Sequence, residues 1–354
     1  MLIALARALA PHAEVALSVS AQSALLEPTR ALGLETDAVP TYASAAGFIT
    51  GLTRVPGLRR RLVRQAAGAD AVISVMTHLW TPLVAPALPA AGLRFVPIIH
   101  DARPHPGDPA LFWAWRLRRE LGAARLAVTL SEAVDGAVRT ACPGLPTLRM
   151  RLGAHLDLPA AAVAPRRPGP IRLLMFGRMR GYKGLDLLRD AFAALPKGLP
   201  SGMPDGLPGG LPGGFVLRVV GDGPIDALAP GLAALPGVTV ERRWVEEAEI
   251  PTLIAAADAL VLPYREASQS GIIPIAQAMG VPVVTTPAGG LAEQVAHGVD
   301  GLVASAISAP ALAGALSRLL EGGLLAGLSA GARKRGAAAT DWSGQAELLL
   351  RALR

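Results

Sequence analysis

Short runs of β-branched and other apolar residues alternate with Ala- and Leu-rich segments of helical character along the whole chain. This alternation is typical of βαβ units, in which parallel strands are joined by crossing helices. It predicts strands at 15–19, 71–75, 95–100, 126–131, 171–177, 215–221, 238–244, 259–264, 282–286 and 301–304. We therefore expect an α/β protein with doubly wound parallel sheets.

The chain has 354 residues, which is more than one core of ordinary size holds, so two domains are expected. The segment 160–170 is rich in Ala, Pro and Arg, a composition typical of an exposed linker. We place one domain at 1–160 and a second at 161–338, and the helical segment at 339–354 is a candidate to pack back on the first. The strand and glycine turn that usually open such a domain are not found at the start, which predicts a truncated or abbreviated first domain.

The net charge of +7 favours anionic partners such as nucleotides and phospholipid surfaces. Aromatic residues make up only 4% of the chain and do not interleave with the basic residues, so no nucleic-acid partner is expected. Cys142 is the single cysteine, which excludes an intrachain disulfide and a cysteine metal cluster. Prolines and glycines interrupt the apolar stretches and the N-terminus has no basic leader, so we expect a cytoplasmic protein without a transmembrane helix.

Two cations, Arg178 and Lys183, stand directly after the strand at 171–177, and a helical pattern follows at 185–195. The carboxyl ends of parallel strands face the ligand crevice in open sheets. A guanidinium binds phosphate oxygens in pairs, and an ammonium adds a point charge, so the two side chains together suit a diphosphate. The alternative is a solvated basic loop.

A second loop, which contains Glu266, Ser270 and Gly271, follows the strand at 259–264 and precedes an Ala-rich helix. Backbone N–H groups at a helix start are free to bind phosphate. Because phosphate repels a carboxylate, Glu266 is expected to contact neutral hydroxyls, as on a sugar. The alternative is a loop that only caps the helix.

Four segments resemble the retaining glycosyltransferases of family 4, whose fold is called GT-B. They are GRMRGYKGLDLLRDAF at 177–192, VVGDGP at 219–224, AADALVLPYREASQSGIIPIAQAMGVPVV at 256–284 and GGLAEQVAHGVDGLV at 289–303. The resemblance implies two Rossmann-like domains that face an interdomain cleft. It also implies transfer of a hexosyl group from a nucleoside-diphosphate sugar to a glycan, lipid-linked or small-molecule acceptor, with retention of configuration.

By the same resemblance, Arg178 and Lys183 bind the donor diphosphate, Glu266 binds the sugar hydroxyls, and the amides of Ser270 and Gly271 bind phosphate. The other residues implied for donor binding are Gly177, Gly223, Ile272, Gln277 and Glu293. The family places a second glutamate about eight residues after the first, where it holds the ribose. This chain has Pro274-Ile275-Ala276-Gln277 there, so Gln277 and Glu293 are the candidates for that contact.

In the first half, the resemblance centres on a His-Asp pair after the strand at 95–100. It implies that His100 lies near the donor sugar as a catalytic residue and that Asp101 and His105 face the acceptor. A hydrogen-bonded structural role is the alternative for His100. The family's N-terminal glycine loop has no counterpart before residue 20, which leaves a catalytically impaired nucleotide-sugar-binding protein as an alternative function.

Two segments of the first half, 54–64 and 112–119, combine basic and apolar residues. Such segments can lie on an anionic membrane, here at its inner face, or can present a core face and a solvated basic face. The candidate membrane contacts are Arg59, Arg60, Arg61, Trp113 and Trp115.

No metal or cofactor is expected, because no Asp-x-Asp pair and no cluster with metal-ligand spacing is found. Two further enzyme classes fit the sequence less well. A sugar-nucleotide epimerase of the same fold needs acid and base carboxylates in both halves. A dinucleotide-dependent oxidoreductase needs a Gly-x-Gly-x-x-Gly turn after the first strand, and none is present.

Overall fold

The computed structural model of the protein describes residues 1–104, 110–156, 169–195 and 214–354. The chain forms two compact units. The N-terminal unit comprises Met1–Arg151 and Asp341–Arg354, and the C-terminal unit comprises Leu152–Thr340. The boundary expected at residue 160 lies outside the described residues, and the chain passes between the units after Arg151 and after Thr340.

In the described residues up to Arg151, the N-terminal unit contains six strands, all in parallel pairs, and eight α-helices. The strands are β1 Ala16–Ser20, β2 Glu35–Val39, β3 Val72–Ser74, β4 Phe95–Ile99, β5 Ala127–Thr129 and β6 Thr147–Arg149. The helices are α1 Leu2–Leu9, α2 Leu26–Arg30, α3 Ala45–Gly51, α4 Val55–Gln65, α5 Thr81–Val84, α6 Ala87–Ala90, α7 Ala110–Ala123 and α8 Glu132–Ala141. Strands β3-β4-β5-β6 form one sheet in that order, and β1 pairs with β2.

The central strand β4 of this unit is buried because its sequence is a continuous apolar run. All five residues of β4 are buried, as a continuous apolar run in a parallel sheet requires. The hydroxyl of Ser131 accepts a hydrogen bond from the amide of Val134 and so caps α8. Strands β2 and β6 were not predicted, since β2 carries Glu35 and Asp37 and β6 has only three residues.

The C-terminal unit contains a six-stranded parallel sheet in the order β12-β11-β10-β7-β8-β9. Its strands are β7 Ile171–Phe176, β8 Phe215–Gly221, β9 Val238–Arg242, β10 Ala259–Leu262, β11 Val283–Thr285 and β12 Gly301–Val303. Its helices are α9 Leu185–Ala193, α10 Ile225–Leu228, α11 Ile250–Ala255, α12 Ile272–Ala278, α13 Leu291–Gln294, α14 Ala309–Ser317 and α15 Leu324–Thr340. The chain's last helix, α16 Trp342–Leu353, belongs to the N-terminal unit, where it packs against α1.

The core of the C-terminal unit lies on both faces of this sheet, and every residue of β10 is fully buried. Helices α12 and α15 pack closely because α15 carries Gly336 at the contact. A Cβ atom at Gly336 would lie 2.3 Å from the carbonyl oxygen of Gln277, so only glycine permits this approach.

Strand β7 lies in the middle of the sheet and pairs with both β8 and β10. The chain first builds the sheet to one side through β8 and β9, and then returns to add β10 on the other side of β7. The order therefore reverses between β7 and β10. In doubly wound sheets, ligands bind outside the carboxyl ends of the two strands at such a reversal.

The helices of both units are short. Within the described ranges, none of them is by itself both long and apolar enough to cross a bilayer. Only one pair of consecutive described helical segments is long and apolar enough together to span a membrane, Ala309–Leu320 with Leu324–Thr340. The two segments meet at an angle of 97° at the break between them.

Candidate functional site

The loop that leaves β7 places two cations at the order reversal of the sheet. It contains Gly177, the exposed Arg178 and a 3-10 helix at Gly181–Lys183. Gly177 has a φ of 113°, and a Cβ atom there would lie 3.1 Å from the Nζ of Lys183. The positive φ favours glycine at this position, and a side chain there would crowd the ammonium group.

Lys183 is the more buried of the two cations, with 8% of its surface exposed. Its Nζ lies 5.0 Å from the ring centroid of the buried Tyr264, within range of a cation–π interaction. Among the described residues, no carboxylate lies within 4 Å of this ammonium group. A buried charge without a counterion is costly, so the arrangement suits an anionic ligand.

Arg178 also forms no ion pair with a described residue. Its guanidinium carbon lies 5.8 Å from the ring centroid of Trp244, which follows β9. The Trp244 side chain is 52% exposed, although it is large and apolar. Sequence reasoning did not select Trp244, because an exposed aromatic cannot be told from a buried one without the fold.

The loop that leaves β10 lies against the loop that leaves β7. The amide of Arg265 donates a hydrogen bond of 2.7 Å to the carbonyl oxygen of Tyr182, and the rings of Tyr182 and Tyr264 meet edge to face. Glu266, next in the chain, is exposed and has no hydrogen bond or ion pair with a described residue. Its carboxylate is therefore available to a ligand.

Two amides at the start of α12, those of Gly271 and Ile272, donate no hydrogen bond to a described residue, whereas the sequence predicted the pair Ser270 and Gly271. The amide of Ser270 donates to Oε1 of Gln294 at 2.7 Å, and Nε2 of Gln294 donates back to the carbonyl oxygen of Ser270. The Ser270 amide is therefore used inside the protein, and its expected contact with phosphate stays a prediction. The amides of Gly271 and Ile272 donate to none of the described residues, and Cδ1 of Ile272 lies 4.0 Å from the Cβ position at Gly177.

Gln277, a candidate ribose contact, has a structural role. It is 4% exposed, and its amide nitrogen donates to the carbonyl oxygen of Gln294 at 2.8 Å and to Oδ2 of Asp300 at 3.0 Å. Both of its N–H donors are thus used within the protein. No N–H group of Gln277 is therefore left for the ribose, and the expected contact, which a ribose hydroxyl could make only with Oε1, stays a prediction.

Two other expected donor contacts, Gly223 and Glu293, lie in a turn and on a short helix. A Cβ atom at Gly223, where φ is 135°, would lie 2.4 Å from the carbonyl oxygen of Met179, so this glycine lets the loops after β7 and β8 approach. Glu293 lies exposed on α13. Gly289, just before α13, packs against the carbonyl oxygen of Ala267, which brings this segment to the loop after β10.

His155 was not selected from the sequence, but it lies beside the start of α12. Its Cε1 is 3.5 Å from the Cβ position at Gly271. Burial lowers the pKa of His155 to about 4, so its imidazole is neutral at physiological pH. A neutral imidazole there does not add charge to an anion site and can only exchange hydrogen bonds.

His100, expected as a catalytic residue, and Asp101, expected on the acceptor side, belong to the N-terminal unit. Nε2 of His100 lies 2.9 Å from the carbonyl oxygen of Val75, and since a carbonyl only accepts, this nitrogen carries the proton. Burial lowers the pKa of His100. Asp101 follows directly on the same strand end, and His105 lies outside the described residues.

Of the three consecutive arginines expected to form a basic face on α4, two are hydrogen-bonded within the protein. Nε of Arg59 donates to the carbonyl oxygen of Leu83, and Arg61 forms a two-point ion pair with Asp37. Arg60 is exposed.

On α7, the ring of Trp113 is covered by the guanidinium of Arg116, which lies 3.7 Å from its centroid, and Trp115 is 40% exposed. Of the five expected membrane contacts, Arg60 and Trp115 are thus the exposed ones.

Comparison with known proteins identifies related sequences. Residues 170–322 match the family described as Glycosyl transferases group 1. Glycogen synthase from Mycobacterium tuberculosis is 32% identical over 206 residues, which are 56% of this chain and 46% of the relative. The chain thus spans about half the length of the curated relatives that it matches.

Solved structures resemble nearly the whole chain. Anabaena HepE, solved in complex with UDP, has a TM-score of 0.73 at 20% identity, over 99% of this chain and 94% of that one. Sucrose-phosphate synthase from Thermosynechococcus elongatus has a TM-score of 0.73 at 18% identity, over 98% and 90%. The chain therefore has the α/β GT-B fold, and its residues 170–322 match the glycosyltransferases of group 1.

Proposed function

We propose that the protein is a glycosyltransferase that moves a hexosyl group from a nucleoside-diphosphate sugar to a glycan, lipid-linked or small-molecule acceptor. The observation that carries this proposal is a pair of cations, Arg178 and Lys183, at the order reversal of the six-stranded sheet, neither of which has a carboxylate partner among the described residues. The unused amides of Gly271 and Ile272 add donors beside them. The group 1 family match over 170–322 supports the same function.

Transfer breaks the bond between the anomeric carbon and a phosphate oxygen, and the bonding electrons leave with the diphosphate. Negative charge therefore grows on the diphosphate as positive charge grows on the sugar ring. Arg178 and Lys183 stabilise the departing charge more in the transition state than in the bound donor, which lowers the barrier. We propose that these cations do so without a divalent ion.

Glu266 contacts the hydroxyls of the transferred sugar in this proposal. Its carboxylate is exposed beside the two loops and has no partner among the described residues. Hydroxyls donate to a carboxylate, whereas phosphate oxygens are repelled by it. Retention of configuration is supported by the resemblance of residues 256–284 to the retaining family.

The second candidate function is a nucleotide-sugar-binding protein that does not turn the donor over. The observation that favours it is the stretch Pro274-Ile275-Ala276-Gln277 in place of the second glutamate of the resembled family, together with the use of both Gln277 N–H groups inside the protein. Both candidates predict binding, and they differ in turnover.

The test measures thermal stabilisation by UDP-, GDP-, ADP- and dTDP-sugars, followed by nucleotide release with the best donor in EDTA. Anabaena HepE was solved with UDP-glucose, which supports a uridine donor first. Stabilisation with release in EDTA is the expected result. Stabilisation without release supports the binding protein, and no stabilisation by any donor contradicts both candidates.

Trp244 is expected to stack on the base of the donor nucleotide. It presents 52% of its surface at the carboxyl end of β9, next to the proposed diphosphate cation Arg178. Stacking of a base on an aromatic ring contributes about 1–3 kcal/mol. Trp244→Ala should therefore weaken UDP binding by about tenfold to a hundredfold in calorimetry.

The matched control is Trp115→Ala, which removes another exposed tryptophan, with 40% of its surface exposed, from the N-terminal unit. It should leave UDP affinity unchanged. Equal UDP affinity of the Trp244→Ala variant and the wild type would exclude stacking at this position.

We also propose that the N-terminal unit touches an anionic membrane. Leu111, Phe112 and Trp115 are exposed along α7, and Arg118 and Arg119 follow on the same helix. Apolar rings beside arginines suit the interface of an anionic leaflet, such as the cytoplasmic one.

Cosedimentation with phosphatidylglycerol vesicles checks the membrane contact. The double change Leu111→Ser/Trp115→Ser should reduce the bound fraction several-fold, because it removes apolar area that enters the interface. The change Leu348→Ser on α16 is the control, since Leu348 is also exposed in this unit. Equal binding by wild type and the double variant would contradict the contact.

A further inference from the structure

A groove of the N-terminal unit lies beside α4 and has a volume of about 460 Å³. This volume falls in the range of roughly 300–1,000 Å³ that is typical of ligand pockets. Four arginines line it, Arg54, Arg60, Arg61 and Arg64, together with apolar walls that include Pro40 and Pro56. None of these described lining residues is acidic.

Three of the four guanidinium groups have no counterion in the part of the chain that the structure describes. Arg61 is held by the carboxylate of Asp37 through two hydrogen bonds. Arg54, Arg60 and Arg64 are exposed, and in the described part of the chain no carboxylate lies within 4 Å of them. Like charges that converge on one concave surface repel each other, so the groove favours an anion.

The spacing along α4 produces this arrangement. Gly57, Arg60, Arg61 and Arg64 recur at three- and four-residue intervals and so share one side of the helix. A Cβ atom at Gly57 would meet no atom within 4 Å. Packing therefore does not require glycine here, and the missing side chain leaves space between the arginines.

We propose that this groove binds a phosphoryl group of the acceptor. The acceptor role rests on the proposed glycosyltransferase function, whereas anion binding by the groove does not. A phosphate or diphosphate ester has more oxygens and more negative charge than a carboxylate, so it can pair with several guanidinium groups at once. Pro40 directly follows β2, so the groove opens at the carboxyl ends of the parallel pair β1-β2, the edge where ligands of such sheets bind.

Titration of the full chain with inorganic pyrophosphate at low ionic strength tests the groove. Two sites are expected in the wild type, one in the groove and one at Lys183. Arg60→Gln/Arg64→Gln should weaken the groove site at least tenfold and leave UDP binding unchanged. Lys183→Met should weaken UDP binding and leave pyrophosphate binding in the groove unchanged. Arg30→Gln/Arg139→Gln, which changes exposed arginines elsewhere in the unit, should leave both sites unchanged.

Gly57→Leu provides a variant that keeps every charge. Leucine favours the helix more than glycine does, and its side chain fills the groove. Loss of the groove site in this variant supports a shaped site, since a diffuse basic surface would still bind. A groove site that survives both Gly57→Leu and Arg60→Gln/Arg64→Gln overturns the proposal.

Two further probes identify the source of the phosphate. Arginine-dependent binding of glucose 6-phosphate indicates a soluble acceptor, and arginine-dependent binding of phosphatidylglycerol vesicles alone indicates a lipid headgroup. The proposal is overturned if glucose 6-phosphate, phosphatidylglycerol vesicles and pyrophosphate all fail to bind in the groove. Pyrophosphate in the groove together with no nucleotide-sugar binding would contradict the proposed function and leave the anion site standing.

Discussion

Replacing Lys183 with methionine is expected to lower the rate of nucleotide release from the donor sugar by about 100-fold to 1,000-fold, the loss typical when one group that stabilises transition-state charge is removed. Lys183 lies against Gly177 and Tyr264 without a carboxylate partner among the described residues. Methionine keeps the length of the side chain and removes the charge. The fall should be larger in kcat than in donor affinity, because charge on the diphosphate grows during the reaction.

Stability separates this effect from unfolding. Lys183 is 8% exposed, so removing its charge relieves a desolvation cost, and the Tm without nucleotide should stay equal or rise. Lys334→Met on α15 is the matched control, since Lys334 is exposed in the same unit, and its activity should equal that of the wild type. Wild-type turnover by the Lys183→Met variant would remove the main support for the proposed site.

The sheets were largely predictable because parallel strands bury both faces and appear as apolar runs. Strand β10 is an example, since the sequence predicts 259–264 and the strand covers Ala259–Leu262. Strand β2 was not predicted because Glu35 and Asp37 interrupt its apolar pattern and because, within the described ranges, it pairs only with β1. Charged strands of this kind are stabilised by tertiary contacts, such as the ion pair of Asp37 with Arg61, which lies 24 residues away.

The candidate site was predictable where residues directly follow strands. The positions of Arg178 and Lys183 follow from where β7 ends, and the position of Glu266 follows from where β10 ends. The hydrogen bonds of Gln277 were not predictable because its partners, Gln294 and Asp300, are 17 and 23 residues away along the chain. Trp244 and His155 were missed for the same reason, since their positions are defined by neighbours from other loops.

Glu120 on α7 is a buried acid that sequence reasoning did not select. Its side chain is 1% exposed. Its Oε2 accepts a hydrogen bond of 3.0 Å from the hydroxyl of Thr77, its Oε1 has no hydrogen-bond partner, and Nε of Arg116 lies 3.9 Å away. Burial raises the pKa of Glu120 to about 7, and the attraction of Arg116 offsets this only in part.

Replacing Glu120 with glutamine should therefore stabilise the N-terminal unit at high pH and not at low pH. The unfolded chain releases this proton near pH 4.5 and the folded unit near pH 7, so wild-type stability falls as pH rises through that window. The difference between the two pKa values corresponds to about 3 kcal/mol. Calorimetry at pH 5 and pH 8 should show the Tm advantage of Glu120→Gln growing with pH. Glu27→Gln, an exposed control, should show no such trend, and a pH-independent difference for Glu120→Gln would mean that Glu120 titrates normally in the folded unit.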